Sequence, residues 1–211
     1  MLLNFIEVIL HLDVYLQAIV NEYAMFSYVI LFLIVFLETG VVVTPFLPGD
    51  SLLFTAGALS ATGAFRVVPL FLLIFTAAVL GDTMNYHAGK YVGPKVFKRE
   101  DSFFFHKEHL VRAEKFYEKH GRKTIILARF IPIIRTFAPF VAGIGIMPYR
   151  VFILYNIVGG LLWSALFIFG GYWFGNLPWV EENFGLLILV IIFLSITPII
   201  KEVIYHYFQK K

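Results

Sequence analysis

Hydrophobic residues in this chain run in long blocks, with the charged residues gathered between them. Residues 151–180 contain no charged side chain and predict a membrane span over 151–174. Residues 183–200 are likewise uncharged and predict a second span, over 184–205. Residues 67–81, continued through Asp82 to Tyr86, give a third, over 67–86, close to the ~20 residues a crossing needs. Two further apolar stretches are interrupted. After a span predicted at 22–37, residues 38–65 carry Glu38, Pro45, Pro48, Gly49 and Asp50. Residues 124–149 are broken by Arg129, Pro132, Arg135, Pro139 and Gly143.

Composition agrees with the pattern. The 211 residues are 60% hydrophobic and only 15% charged, with a mean hydropathy of +0.83. Soluble domains carry about 25% charged residues, so the expected class is an all-α integral membrane protein. The absence of cysteine excludes a disulfide framework, a thiol nucleophile and a thiolate metal site. Residues 1–20 lack the basic start of a signal peptide and carry Glu7 and Asp13. Asn4, Glu7 and His11 recur there at helical spacing, which predicts an amphipathic interfacial helix.

The cations fix an expected topology. Ten of the 17 Lys and Arg residues lie in 90–123, three more lie at Lys201, Lys210 and Lys211, and the connection 176–183 has two Glu and no cation. The positive-inside rule puts the 90–123 loop and the C-terminus in the cytoplasm and 176–183 outside. That assignment holds only if 124–149 enters and leaves on the cytoplasmic side. The same counting makes 38–65 a hairpin dipping from the opposite face. The expected fold is therefore a set of spans packed around two oppositely oriented re-entrant helical hairpins, a layout known from transporters built of inverted repeats. Within 90–123, Asp101 or Ser102 as a start, Gly121 as a stop, and Leu110, Ala113 and Tyr117 on one face predict an amphipathic helix. The loop cations read as contacts to anionic lipid, not to nucleic acid.

Charges at bilayer depth are the candidate chemistry. Four unpaired ionised groups there would cost roughly 10–14 kcal/mol on insertion scales, so Glu38 and Asp50 are expected to pair with Arg129 and Arg135 across the two hairpins. One reading is structural, with Asp50 capping a helix over 51–60 and the rest forming a static network. The other is functional: Glu38 and Asp50 carry protons, while Arg129 and Arg135 hold an anionic headgroup through paired guanidinium donors. Asp82, Tyr86 and Asn156 are possible accessory residues, and Gly89 with Gly93 would admit a neighbouring helix. His106, His109 and His120 have no completing carboxylate or thiolate, and no hydrolase or metalloprotease motif occurs. Neither a metal, another cofactor nor an enzymatic activity is expected, apart from protons as a coupling ion.

The stretches FLETGVVVTPFLPGDSLLFTAGAL, GDTMNYHAGKYVG, EKHGRKTIILARFIPIIRTFAPFVAGIG and YNIVGGLLW with GGYWFG resemble, in this order, the DedA family of bacterial inner-membrane proteins, also called the VTT or SNARE-associated domain family. The resemblance covers about residues 5–205. It implies paired re-entrant hairpins, important acids at Glu38 and Asp50, and important arginines at Arg129 and Arg135. It further implies movement of lipids between leaflets, undecaprenyl phosphate among them, and use of the proton motive force. Three functions follow as expectations: a transporter of a phosphate-bearing lipid, a proton-coupled exchanger of a small ion or drug, or a scaffold acting through the loop helix with Leu110, Phe116 and Tyr117. Membrane lipids are the expected partners. The glycine-rich spans suit either a homo-oligomer or packing within one chain.

Overall fold

The computed structural model describes residues 24–41, 49–96 and 107–182. The predicted helix over 1–20, the predicted span over 184–205, and Pro45 and Pro48 lie outside the described residues. Those described are helical, with no strand among them. In chain order the helices are α1 (Ala24–Gly40), α2 (Gly49–Ala61), α3 (Val67–Val96), α4 (Lys107–His120), α5 (Thr124–Ala128), α6 (Pro132–Val141), α7 (Tyr149–Gly175) and α8 (Pro178–Glu182). A single 3-10 turn joins α4 to α5, and a π turn, Ala142–Ile146, follows α6.

Two of these helices are long and apolar enough to cross a bilayer: the Val67–Tyr91 part of α3 and all of α7, Tyr149–Gly175. Their composition is inverted relative to a soluble core. Leu154, Leu166 and Trp173 are exposed at 61%, 57% and 73%, whereas Asp82, Asn85 and Asn156 are at most 4% exposed. Apolar residues outside and polar residues inside are what lipid as solvent demands. Helix α3 does not stop at the predicted 86 but runs to Val96. The Gly89, Gly93 and Pro94 that follow Tyr86 do not stop it, and Gly89 packs so closely on α6 that a Cβ there would lie 2.0 Å from the Phe140 carbonyl oxygen. Helix α1 carries its apolar run past the predicted end at 37, so Glu38 sits on its last turn.

The chain forms two compact units. In the first, α2 packs on residues 166–175 of α7 through Gly57, Gly171 and Gly175, with Phe54 against Phe174. Phe71 meets Phe169 there, and Tyr28 meets Phe65 edge-on while its hydroxyl accepts a bond from the Arg66 amide.

The second unit contains Ile30–Gly40 of α1, α3 from Leu72, α4, α5, α6 and α7 to Ala165. Helices α5 and α6 have 5 and 10 residues, so their lengths are about 7.5 and 15 Å, and neither spans a hydrocarbon core of about 30 Å. The break between them is at Ile131, which is extended, and Pro132 starts α6 at a position where its missing amide costs nothing. Pro139 does not break the chain: α6 runs through it. Nor does Gly143 turn the chain by its conformation. A Cβ on it would come 2.0 Å from the Tyr86 carbonyl oxygen, so it is glycine to let α3 approach. The turn is made at Gly145, whose φ of 131° excludes ordinary side chains. Tyr86 secures the exit by donating a 2.8 Å hydrogen bond to the Met147 carbonyl, and its ring stacks on Phe152.

Candidate functional site: paired charges around Trp163

Helices α1, α3 and α7 of the second unit each bring polar residues to one place by helical periodicity. On α1, Leu31, Val35, Glu38 and Thr39 form the buried stripe. On α3 the stripe is Ala78, Gly81, Asp82, Asn85, Tyr86 and Gly89. On α7 it is Asn156, Gly159, Gly160, Trp163 and Ser164. Small residues make these stripes concave, and the polar ones fill them.

Two ion pairs occupy the centre. Arg135 on α6 donates to Glu38, which is 1% exposed. Arg129, at the end of α5, donates to Asp82 and also to the Asn156 side-chain oxygen. Asn156 in turn donates to the Val79 carbonyl at 3.0 Å. Both guanidiniums face the Trp163 ring, with Cζ at 5.9 Å for Arg129 and 5.4 Å for Arg135. Arg129 lies against Gly159: a Cβ there would come 3.2 Å from its Cδ and Nε. Asn85 joins the carbonyls beside both members of the other pair, donating to Thr39 O at 3.2 Å and Thr136 O at 2.8 Å. Pro139 removes the amide that would otherwise bond to the Arg135 carbonyl, one turn earlier in α6.

Thr39, Asp82, Arg129, Arg135, Thr136 and Trp163 line a small cavity with space for about one water molecule. Arg129 Nε and Asn85 Oδ1 are buried without a hydrogen-bond partner among the described residues. A buried arginine with an idle donor retains capacity for a further acceptor.

The expected pairing of Glu38 and Asp50 with the two arginines thus takes a different form. Glu38 pairs with Arg135, but Arg129 takes Asp82, a residue expected to be accessory. Sequence alone could not rank three acids for two arginines. Asp50 belongs to the first unit, half-buried in the first turn of α2, where a carboxylate is favoured by the amide dipoles. Gly49, from the Pro-Gly-Asp run, opens that helix and is buried. Tyr86 reaches a backbone carbonyl and no charged group of the site. Trp163, Thr39 and Thr136 were not singled out by sequence, and Asn85, which reads in the sequence as a polar residue near the membrane edge, is fully buried. Trp163 had a signal, since it stands seven residues after Asn156, on the same helical face with the Gly159–Gly160 pair between. No group of His, Cys, Asp and Glu suited to a metal occurs among the described residues.

The loop helix α4, within the same unit, reaches α6. Tyr117 is buried and donates a 2.9 Å bond to the Ala138 carbonyl of α6, three residues from Arg135. Burial pushes its phenol above the usual tyrosine range.

Comparison with known proteins gives a consistent picture. The VTT domain family matches residues 47–173. Protein DedA of Escherichia coli strain K12 is 54% identical over 203 residues, covering 95% of this chain and 93% of its own. An uncharacterized membrane protein of Mycobacterium tuberculosis, Rv0364, is 49% identical over 168 residues, covering 79% of this chain and 74% of its own. Inner membrane protein YghB of Escherichia coli strain K12 is 36% identical over 173 residues, covering 82% and 77%. No solved structure matches. The inverted polarity of the helices, the charges buried in α1, α3, α5 and α6, and these relatives agree: the chain is a membrane protein of the DedA family, the family of the VTT domain.

Proposed function

We propose that this protein moves a phosphate-bearing lipid between the leaflets of the bacterial inner membrane, undecaprenyl phosphate or a phospholipid, with protons as the coupling ion. The observation that carries the reading is the double ion pair at Trp163. Two arginines in a predominantly apolar protein, each held by a carboxylate, form a site whose ligands resemble the group to be bound. A phosphate oxygen can take the place of a carboxylate oxygen on the same guanidinium donors.

In this reading the headgroup displaces Glu38 from Arg135, and Glu38 takes up a proton, so the loaded site stays near neutrality. Arg129 adds its idle Nε donor while Asp82 and Asn156 hold its other end. Asp50 serves as a second proton carrier at the start of α2. The short helices α5 and α6, with their break at Ile131, support a path for 124–149 that enters and leaves on one face. The 38–65 segment forms the opposed hairpin, and the 90–123 loop and the C-terminus are cytoplasmic. Lipid tails remain in the bilayer, and no covalent step is involved.

The test is leaflet exchange in proteoliposomes, comparing undecaprenyl phosphate with a zwitterionic phospholipid, with and without a pH gradient. The native protein is expected to exchange the phosphate lipid, and Glu38→Gln and Arg135→Ala to abolish that exchange. A folded native protein that exchanges neither lipid would overturn the reading. One observation favours a second reading: the cavity between the arginines has the size of a water and not of a headgroup. A proton-coupled exchanger of a small ion would show proton flux in vesicles of inert lipid, where the lipid transporter shows none.

A further inference from the structure

The chain has three tryptophans, and they occupy opposite environments. Trp173 and Trp179 are exposed at 73% and 61%, whereas Trp163 is 1% exposed. An indole in a helical stripe of small residues needs a reason, because a leucine would fill buried space with fewer demands. The reason lies in what stands over the ring. Both guanidiniums of the site, on two different helical segments, fall within the range of cation–π attraction.

Two like charges beside one ring repel each other, and Glu38 and Asp82 offset that repulsion while they remain paired. A carboxylate partner is lost on protonation and is displaced by a competing anion. The quadrupole of an indole is subject to neither: it does not titrate, and it does not compete with an anion for the N–H donors at the guanidinium edge. Thr39, Thr136, Asn156 and the glycine pair also stand near the arginines, and Asn156 accepts a hydrogen bond from Arg129, whereas the ring faces both guanidiniums.

We infer that Trp163 is a positioning residue, whose ring holds the guanidiniums of Arg129 and Arg135 in place while their anionic partners are exchanged. The inference rests on the reading that these arginines receive an anionic headgroup. It also assigns a shared element to two ion pairs that otherwise have separate partners.

Two measurements test it together. The first is a pair of double-mutant cycles on the full chain in detergent, combining Trp163→Leu with Arg129→Gln and with Arg135→Gln and following thermal unfolding. Coupling is expected in both: the midpoint shift caused by leucine falls by about half or more in either glutamine background. The second is leaflet exchange of phosphatidic acid at rising mole fraction in phosphatidylcholine vesicles. Trp163→Leu is expected to raise the half-saturating fraction roughly tenfold with the maximal rate retained. Trp163→Phe, which keeps a ring with a weaker quadrupole, lies between and serves if the leucine variant does not fold. Additive cycles, or an unchanged half-saturation in an active leucine variant, would overturn the inference. If the native protein exchanges no phosphatidic acid, the transport reading fails by itself, and the cycles alone decide whether the ring holds both cations.

Discussion

Helix α7 carries two Gly-Gly pairs, and the two regions use them differently. At Gly170–Gly171 the helix meets another backbone: a Cβ on Gly171 would lie 2.1 Å from the Phe54 carbonyl oxygen, while one on Gly170 meets nothing within 4 Å. At Gly159–Gly160 most neighbouring atoms belong to side chains: a Cβ on Gly159 would meet the Cδ and Nε of Arg129 as well as the Ile126 Cα, each at 3.2 Å, and one on Gly160 would meet Val79, Arg129 and Phe75 side chains. The first region is apolar and gains contact by bringing main chains together, as lipid-embedded helices do. The second gives the same space to a guanidinium. One dipeptide thus supports packing at one end of a span and a buried cation at the other.

The sharpest way to break this comparison is to leave the cation without its anion. Asp82→Ala strands a buried Arg129 and is expected to cost ~3–5 kcal/mol, read as a large drop in unfolding temperature. Converting both partners, Asp82→Leu with Arg129→Met, should recover most of that loss. An Asp82→Ala protein as stable as the native one would show that Arg129 does not depend on the pair. In the apolar region, Gly171→Ala must push two backbones apart and is expected to cost ~1–3 kcal/mol.

Tyr117→Phe removes one hydrogen bond to Ala138 and is expected to cost about 0.5–1.5 kcal/mol. Because the phenol is raised in the folded state, its contribution is complete below the ordinary tyrosine value of about 10 and is lost progressively as pH rises from there through the higher folded value. The stability difference between native and Tyr117→Phe should therefore be constant from about pH 6 to pH 9. The smallest effects distinguish the two glycine pairs. Gly170→Ala should be neutral or gain up to ~1 kcal/mol from helix propensity. Gly159→Ala should cost about 1 kcal/mol, because the flexible arginine stem can give way while the Ile126 Cα, also 3.2 Å from the new Cβ, can shift little, and should reduce anionic-lipid exchange by moving Arg129. Equal effects on stability and exchange would remove the distinction.

Much of this organisation was legible in the blocks of hydrophobicity. The uncharged run after Arg150 gives α7, and the Pro and Arg residues at 129–139 mark the place where two short helices stand instead of one long one. Gly121 ends α4 where the sequence suggested. Less legible was which proline breaks a helix: Pro132 begins one and Pro139 sits inside the same one, a difference that depends on the φ and ψ of Ile131. The Asp82–Arg129 pair joins residues 47 positions apart, and no periodicity links them. Trp163 was visible as part of a face but not as a partner of arginine, because its neighbours come from segments joined to it only by folding. Thr39 and Thr136 gave no signal, since their importance is in their carbonyls.

Those two carbonyls give Asn85 a consequence for motion. Its side-chain amide ties Thr39 to Thr136, the residues immediately after Glu38 and Arg135. When that acid and base part, the backbones bearing them stay tethered across a single amide, so each remains at a high effective concentration beside the other. Re-pairing would then be a local search by two side chains, with no change in the register of the helices that carry them.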